Sequence, residues 1–258
     1  MPFRPYIHDL VGIVLLVTGL LLVYLGAIPL WVVISVILFY SLFLLFVSTN
    51  VRFNYFVRSF NHRKGISERK IALSFDDGPV ENTLKVLEIL DKYEVKAGFF
   101  CIGSNIEKHP EIFREIIRRG HVVGNHTYSH TRMLGFLSSK AVTADILKCN
   151  EVAERTASVK MKLFRPPFGI VNPKIKRALE ATGHHSIGWN IRSFDAIFNS
   201  KDLILNRITR KINPGDVILL HDNMLHTPEI LEQLLLFLQK NRYKAVRPDN
   251  LFEIDAYS

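Results

Sequence analysis

From residue 70 onward, short apolar runs alternate with longer segments in which apolar residues recur at helical spacing. The short runs predict seven strands, at 70–76, 97–102, 121–126, 162–166, 184–190, 216–221 and 244–247. The longer segments predict helices near 82–93, 105–119, 138–156, 172–182, 201–212 and 227–241. Because strands that alternate with helices are normally parallel, we expect an α/β domain over 70–250. An irregular seven-stranded (β/α) barrel fits this pattern, with a doubly wound open sheet as the alternative.

A long uncharged stretch precedes this domain. Leu10 to Val47 spans 38 positions without a charged residue, about twice the roughly 20 that a transmembrane helix needs. Pro29 lies near its middle, so the pattern predicts a membrane anchor over 1–50 built as a transmembrane helical hairpin, with helices at about 10–28 and 30–48. A signal peptide is the alternative, but its apolar region normally has only about 7–15 residues.

The chain carries a formal net charge of +9, and its basic residues crowd into a predicted juxtamembrane linker at 51–69. Aromatic residues interleave with these charges, which favours contact with membrane lipids over binding of nucleic acid; a merely solvated linker is the alternative. Basic residues flank both ends of the hairpin, so an integral cell membrane protein with its domain on the cytoplasmic face is favoured. A single span would instead place the domain outside.

Residues with catalytic chemistry close three of the predicted strands. Asp76 and Asp77 are adjacent, and neighbouring carboxylates repel unless one of them is offered a cation. His126 and His130 are four residues apart, which puts both on one side of a helical turn, and Asp77 completes a set of three metal ligands. With His221 at the end of a later strand, the pattern indicates a metal-assisted hydrolase. Zinc is the default ion, although Co, Ni, Mn and Fe suit the same ligands.

Four motifs in this order resemble the polysaccharide deacetylase family, the NodB-homology or carbohydrate esterase 4 group. They are Ser-Phe-Asp-Asp-Gly-Pro at 74–79, Gly-Asn-His-Thr-Tyr-Ser-His at 124–130, Arg-Pro-Pro-Phe-Gly at 165–169 and Leu-Leu-His-Asp at 219–222. The resemblance covers roughly 68–250 and implies a NodB-like barrel. It also implies removal of an N-acetyl group from an amino sugar of a polysaccharide or glycan, with one divalent metal ion.

The resemblance implies a role for each matching residue. Asp77, His126 and His130 would bind the ion. Asp76 would be the base that takes the proton from metal-bound water as it attacks the amide carbonyl, and His221 would be the acid that protonates the leaving amine.

Five further residues gain an expected role from the same resemblance. Arg165 would pair with the catalytic aspartate, keeping it ionised and oriented, and Asp195 would support the arginine or tune the histidine. Leu219 or Leu220 would line a pocket for the acetyl methyl group. The backbone N–H of Phe168 is the candidate oxyanion donor.

One motif departs from the family pattern. Many members carry Asp-x-x-Asp-Trp after the fifth strand, but residues 189–196 here read Trp-Asn-Ile-Arg-Ser-Phe-Asp-Ala. Arg192 replaces the first acid and Ala196 the tryptophan. We expect Trp189 and Arg192 at the substrate pocket, where an extra cation suits a phosphate or carboxylate. A charge swap within a structural salt bridge is the equal alternative.

Several functions remain open at this level. The leading one is deacetylation of an N-acetylated glycan or glycolipid, and the nearest rival is a deformylase or deacetylase of a polyprenyl-linked sugar. A metal-dependent oxygenase shares the ligand set but has no use for Asp76, Arg165 and His221 together. An inactive carbohydrate-binding or scaffold protein is disfavoured, because a binding module does not need the complete catalytic set.

Overall fold

The computed structural model describes residues 7–258, with side chains from residue 10. It begins with two apolar helices, α1 (Ile7–Tyr24) and α2 (Leu30–Ser48), which pack together where Gly19 lies against Val33. Among the described helices, only α2 is both long and apolar enough to cross a membrane; its mean hydropathy is 2.7 and 11% of it is buried. The apolar part of α1 is shorter, at Leu10–Tyr24. The membrane hairpin therefore stays a prediction, and residues 1–6 of the predicted anchor lie outside the described residues.

The rest of the chain builds one parallel sheet surrounded by helices. The strands are β1 (Ser59–Phe60), β2 (Lys70–Asp76), β3 (Gly98–Cys101), β4 (Val122–Asn125), β5 (Leu163–Phe164), β6 (His185–Ile187), β7 (Ile191–Arg192), β8 (Val217–His221) and β9 (Lys244–Val246). The helices are α3 (Glu81–Lys92), α4 (Gly103–Lys108), α5 (Pro110–Arg118), α6 (Ser139–Ala157), α7 (Pro173–Thr182), α8 (Lys201–Thr209), α9 (Thr227–Lys240) and α10 (Pro248–Phe252).

The sheet is a curled half-barrel. Its strand order is β1-β6-β5-β4-β3-β2-β8-β7, with β9 paired to the first part of β2, and β1 and β7 stand unpaired with each other at the two ends. The predicted α/β domain with parallel strands is confirmed, but the count of seven strands is wrong. Two further strands, β1 and β7, have only two residues each, too few to show a periodic pattern.

One predicted helix is in fact two. The segment 105–119 is divided into α4 and α5, which meet at His109 and Pro110. Proline lacks the N–H that a helix interior needs, but it is well suited to the first turn, where no such bond is made. Pro110 accordingly begins a new helix.

Alternating residues on β2 and β8 separate the two faces of the sheet. Leu73 and Leu220 belong to the large cluster between the sheet and its helices. Ala72, Val217 and Leu219 point to the opposite, inner face and belong to a second cluster, which also includes residues of α6 and α7. Since side chains alternate along a strand, Asp76 and His221 lie on the inner face, at the carboxyl ends of these strands.

The end of α2 is joined to this folded unit. Leu44 and Val47 pack into this second cluster, and the Val171 N–H donates to the Ser48 carbonyl at 2.9 Å. The stretch predicted as a linker, 51–69, also packs on the domain: Val51 is buried, and β1 pairs with β6. The carboxyl end of α2 is thus fixed to the domain, and the exposed apolar part of the helix starts directly at the domain surface.

Candidate active site

The candidate catalytic residues gather at the carboxyl ends of β2, β4, β5 and β8. Asp76 and His221 are direct partners in the β2–β8 ladder, and Asp76 is paired to Phe100 on β3 on its other side. His126 follows β4 and Arg165 follows β5. Parallel strands expose these ends at one edge of the sheet, which is where such folds place their active sites.

Three of these side chains form a possible metal site. Asp77 Oδ1 lies 3.3 Å from His130 Nε2 and 3.6 Å from His126 Nε2, and all three ligand atoms lie within 4.8 Å of one another. Atoms bound at about 2.0–2.2 Å to one tetrahedral ion are about 3.3–3.6 Å apart, so both distances from Asp77 Oδ1 match those around a zinc-like ion. His126 Nδ1 donates to the Arg165 carbonyl at 2.7 Å, which turns Nε2 toward the cluster.

Burial, reinforced by the neighbouring His130, lowers the pKa of His126 to about 3. The ring is therefore neutral at ordinary pH, which is the form in which imidazole binds metals. The donor set combines two imidazoles with one carboxylate.

The two histidines are not on a helical turn, so that prediction is wrong. Thr127 and His130 adopt left-handed backbone angles, with φ of 64° and 47°. The Thr127 N–H donates to Asn125 Oδ1 at 2.8 Å, and the His130 N–H donates to Thr127 Oγ1 at 3.0 Å. This folded loop brings the imidazole ring centroids to 4.9 Å, so the rings meet through a tight turn that spacing alone does not reveal.

Arg165 is a fully buried cation that links the acid pair to the histidine loop. Its Nη1 donates to Asp76 Oδ1 at 2.7 Å, while Nε and Nη2 donate to the carbonyls of Ile187 and Gly188. The guanidinium lies 3.9 Å over the Phe100 ring. Asp76 is thereby fixed, with its free Oδ2 facing His126 Nε2 at 3.8 Å.

His221 and Asp195 form a buried ion pair. His221 Nδ1 donates to Asp195 Oδ1 at 2.7 Å, and the His221 backbone N–H donates to Oδ2 at 2.7 Å. Burial by itself would lower the pKa of His221, but the hydrogen bond and charge of Asp195, with Asp76 and Asp77 beyond, raise it to about 9. His221 is consequently protonated at neutral pH, as a proton donor must be.

The predicted pocket residues occupy different positions in the structure. Leu219 shares the inner face with His221, whereas Leu220 points to the opposite face and packs under the helices. Trp189 is buried beneath Gly169 in the Arg-Pro-Pro-Phe-Gly loop. Phe168 lies at the rim, 43% exposed, with its ring 4.7 Å from that of His130. Of the two leucines, only Leu219 is placed to line the site.

Two further residues, Asn105 and Asp222, hold the site together. Asn105 Nδ2 donates to the Asp77 carbonyl at 2.8 Å, and nothing in its sequence context signals this contact. Asp222 closes the Leu-Leu-His-Asp motif; it accepts from Thr83 Oγ1 at 2.6 Å. Burial raises the pKa of Asp222 to about 7. A cavity of about 800 Å³ lies elsewhere, between residues 54–58 and the end of α7, and holds none of the catalytic groups.

Comparison with known proteins agrees with this geometry. The family model for polysaccharide deacetylase matches residues 63–187. A peptidoglycan-N-acetylglucosamine deacetylase of Bacillus cereus is 30% identical over 191 residues, which cover 72% of this chain and 89% of the relative. The chain belongs to the polysaccharide deacetylase family. The predicted resemblance is confirmed, and at the level of the family so is the prediction of a hydrolase of carbon–nitrogen bonds other than peptide bonds.

Two further matches extend the comparison. A second B. cereus protein of the same name is 39% identical over 157 residues, but these cover 60% of this chain and only 56% of the relative. A crystal structure of a peptidoglycan N-acetylglucosamine deacetylase superposes with a TM-score of 0.72 at 32% identity, covering 78% of this chain and 94% of the other. Other relatives are named for peptidoglycan N-acetylmuramic acid and for chitin, so the family acts on several N-acetylated glycans.

Proposed function

We propose that this chain is a metal-dependent hydrolase that removes the N-acetyl group from an amino sugar of a glycan or glycolipid, held at the membrane by α2. The observation that carries the proposal is the meeting of Asp77, His126 and His130 within 4.8 Å beside the Arg165-bound Asp76. His221 lies on the neighbouring strand end. This arrangement offers a place for a divalent ion between a proton acceptor and a proton donor.

Asp77, His126 and His130 would hold the ion, with zinc the default and Co, Ni, Mn or Fe compatible with the same donors. When bound, the ion supplies a Lewis acid for the amide carbonyl and lowers the pKa of water. The neutral state of His126 and its hydrogen bond to the Arg165 carbonyl prepare its Nε2 for this task.

Asp76 and His221 would move the protons. Arg165 occupies Asp76 Oδ1, so Oδ2 accepts the proton of the attacking water. The water oxygen bonds to the carbonyl carbon, the carbon–nitrogen bond then breaks, and protonated His221 gives a proton to the leaving amine. Acetate and a free amino sugar result, and Asp195 stabilises the charged form of His221.

The remaining groups would position the acetyl group. Leu219 and Trp189 offer apolar surface on the inner face, which suits the methyl group. The Phe168 N–H belongs to a strained loop, with φ of 59° at that residue, and is the proposed donor to the carbonyl oxygen in the transition state.

A membrane anchor is supported by α2, whose hydropathy and exposed apolar side chains suit a lipid environment. Anionic lipid headgroups would then face the basic residues of 51–69. Val171 is hydrogen-bonded to the end of α2, and its neighbour Asn172 donates through Nδ2 to the Gly135 carbonyl. The exposed side chains of Met133 and Phe136 flank Gly135 and therefore lie close to the end of α2. This apolar surface next to the site supports a polyprenyl-linked sugar as the second candidate substrate, with an acetyl or formyl group removed.

The proposal is tested by measuring the acetate that the full-length protein, held in detergent micelles, releases from a substrate. The substrates are an N-acetylglucosamine oligomer, peptidoglycan and a polyprenyl-linked N-acetylglucosamine. We expect release with at least one of them, its loss on chelation and its return on adding Zn²⁺ or Co²⁺. Activity that survives complete removal of metal would contradict the metal assignment. Failure of all three substrates with fully metal-loaded protein would contradict N-deacetylation itself.

A further inference from the structure

Arg192 is a cation on the inner face of the sheet. The β7–β8 register pairs Ile191 with Ile218 and Arg192 with Leu219. Ile191 and Ile218 belong to the outer cluster, so Arg192 starts from the face that carries Leu219 and, two residues further, His221. Burial lowers the pKa of Arg192, while the charges of Asp195 and Asp76 oppose that shift, which places both carboxylates within electrostatic reach.

Among the described residues, no carboxylate forms an ion pair with Arg192. Across residues 10–258, no acidic group lies within 4.0 Å of the guanidinium, and its buried Nε has no hydrogen-bond partner. The two acids whose charges act on Arg192 form ion pairs elsewhere, Asp195 with His221 and Asp76 with Arg165. The salt-bridge alternative for this substitution is therefore absent from the described part of the chain.

A second arginine strengthens the local positive charge. The guanidinium carbons of Arg192 and Arg207 lie 4.8 Å and 4.1 Å from the centroid of the Phe194 ring. Arg207 Nε also donates to the Arg192 carbonyl at 3.3 Å, and Arg207 has no ion pair with a described acid. The aromatic ring stabilises both cations without neutralising them, because its quadrupole carries no net charge.

We propose that Arg192, backed by Arg207 and Phe194, is a specificity determinant that binds an anionic substituent of the amino-sugar substrate. This inference rests on the proposed function and deepens it. A guanidinium fork is suited to carboxylate or phosphate oxygens, and a half-buried one binds them more strongly than a solvated one. The anion comes either from a carboxylate on the sugar, as in a lactyl ether, or from a phosphate that links the sugar to a carrier. Both present the negatively charged oxygens that the Arg192 guanidinium would bind.

The test compares Arg192→Gln with wild type on three substrates that share an N-acetyl amino sugar. An N-acetylglucosamine tetramer is neutral, a glycan strand containing N-acetylmuramic acid carries carboxylates, and a pyrophosphate-linked short-chain polyprenyl N-acetylglucosamine carries phosphates. We expect kcat/KM for one anionic substrate to fall about 10- to 100-fold, mostly through KM, and that for the tetramer to change less than about threefold. The anionic substrate that responds identifies the source of the charge.

Arg210→Gln is the matched control, since it removes the same charge from the exposed end of α8. It should leave all three kcat/KM values unchanged. Arg192→Lys should recover only part of the loss, because a lysine keeps the charge without the fork. The melting temperature of each variant separates binding from folding.

If Arg192→Gln lowers kcat/KM equally for the neutral and the anionic substrates, or for none of them, this inference is overturned. A wild-type enzyme that prefers the neutral tetramer over both anionic substrates would overturn it as well. Each of these results leaves N-deacetylation intact. Absence of wild-type activity on all three substrates would instead contradict the proposed function.

Discussion

At the scale of single residues, Asp195 determines whether His221 can act as an acid. Its carboxylate accepts from both the imidazole and the backbone N–H of His221, and Ser193 Oγ donates to it at 2.7 Å. The buried imidazole would otherwise be neutral at ordinary pH, because burial disfavours its charged form. A short hydrogen-bond network thus converts a strand-end histidine into a proton donor.

The pH dependence of activity should reveal this pair. Wild-type kcat/KM should fall as pH rises through about 9, where His221 loses its proton. In Asp195→Asn the largest raising influence on the pKa of His221 is removed while Asp76 and Asp77 remain, so the alkaline limb should move down by about one pH unit or more. Activity measured across pH 5–10 checks this, and an unmoved alkaline limb would show that another group sets it.

Stability supplies an independent check of the same pair. The pKa of His221 is about 9 in the folded state, above its ordinary value of 6.5, so the ion pair stabilises fully below about pH 6.5. This contribution is lost as pH rises through 9. The difference in unfolding free energy between wild type and Asp195→Asn should therefore shrink over that range.

At the scale of elements, the site depends on how closely β3 and β4 approach. Gly124 is paired with Phe100, and a Cβ at Gly124 would lie 2.6 Å from atoms of the Phe100 ring. The same ring supports the Arg165 guanidinium at 3.9 Å. A small residue on one strand therefore makes room for the platform under the catalytic arginine.

We expect Gly124→Ala to lower the free energy of unfolding by about 1–3 kcal/mol, the usual cost of overpacking a filled core. Activity should fall as well, since displacement of Phe100 moves Arg165 and with it Asp76. Denaturant titration and acetate release measure the two effects. The double variant Gly124→Ala/Phe100→Leu should recover part of the stability; a fully stable single variant would contradict this packing argument.

The sequence predicts the long elements well and the tertiary contacts poorly. The strand 70–76 is found at its predicted bounds, because seven residues suffice to show an apolar run closed by a Gly-Pro turn. The two-residue strands β1 and β7 carry no such signal. Pairing of Asp195 with His221 joins residues 26 positions apart, and neither spacing nor periodicity reveals it without the family resemblance. The side chain of Leu219 is distinguished from that of Leu220 only by strand register.

At the scale of the whole molecule, an exposed apolar helix leaves the domain beside the loop that follows β5. The last turn of α2 is bound to Val171, and exposed Met133 and Phe136 lie close to the same loop. If α2 lies in a bilayer, this apolar surface and the neighbouring loop at 165–169, which carries Arg165 and Phe168, stand near the lipid headgroups. A substrate embedded in the membrane would then reach the active site without leaving the membrane.

We expect the full-length protein to stay in the membrane fraction after alkaline carbonate extraction, since α2 has the length and hydropathy of a span. If α1 crosses as well, both ends lie on one side, and the basic residues of 51–69 favour the cytoplasm. A reporter fused after Ser258 and active only outside the cytoplasm should then be silent. A strong signal would contradict the inner-face assignment, and release by carbonate would contradict the anchor.

The central claim is that Asp77, His126 and His130 hold the metal while the adjacent Asp76 moves the proton. The most direct measurement determines metal content and acetate release on the same samples of wild type, Asp76→Asn and His126→Ala, with His109→Ala as a control outside the site. We predict that Asp76→Asn keeps its metal but loses about 10²–10⁴-fold in kcat, because an amide cannot accept the proton. His126→Ala should lose both metal and activity. Near wild-type turnover in Asp76→Asn, or undiminished metal in His126→Ala, would contradict the account.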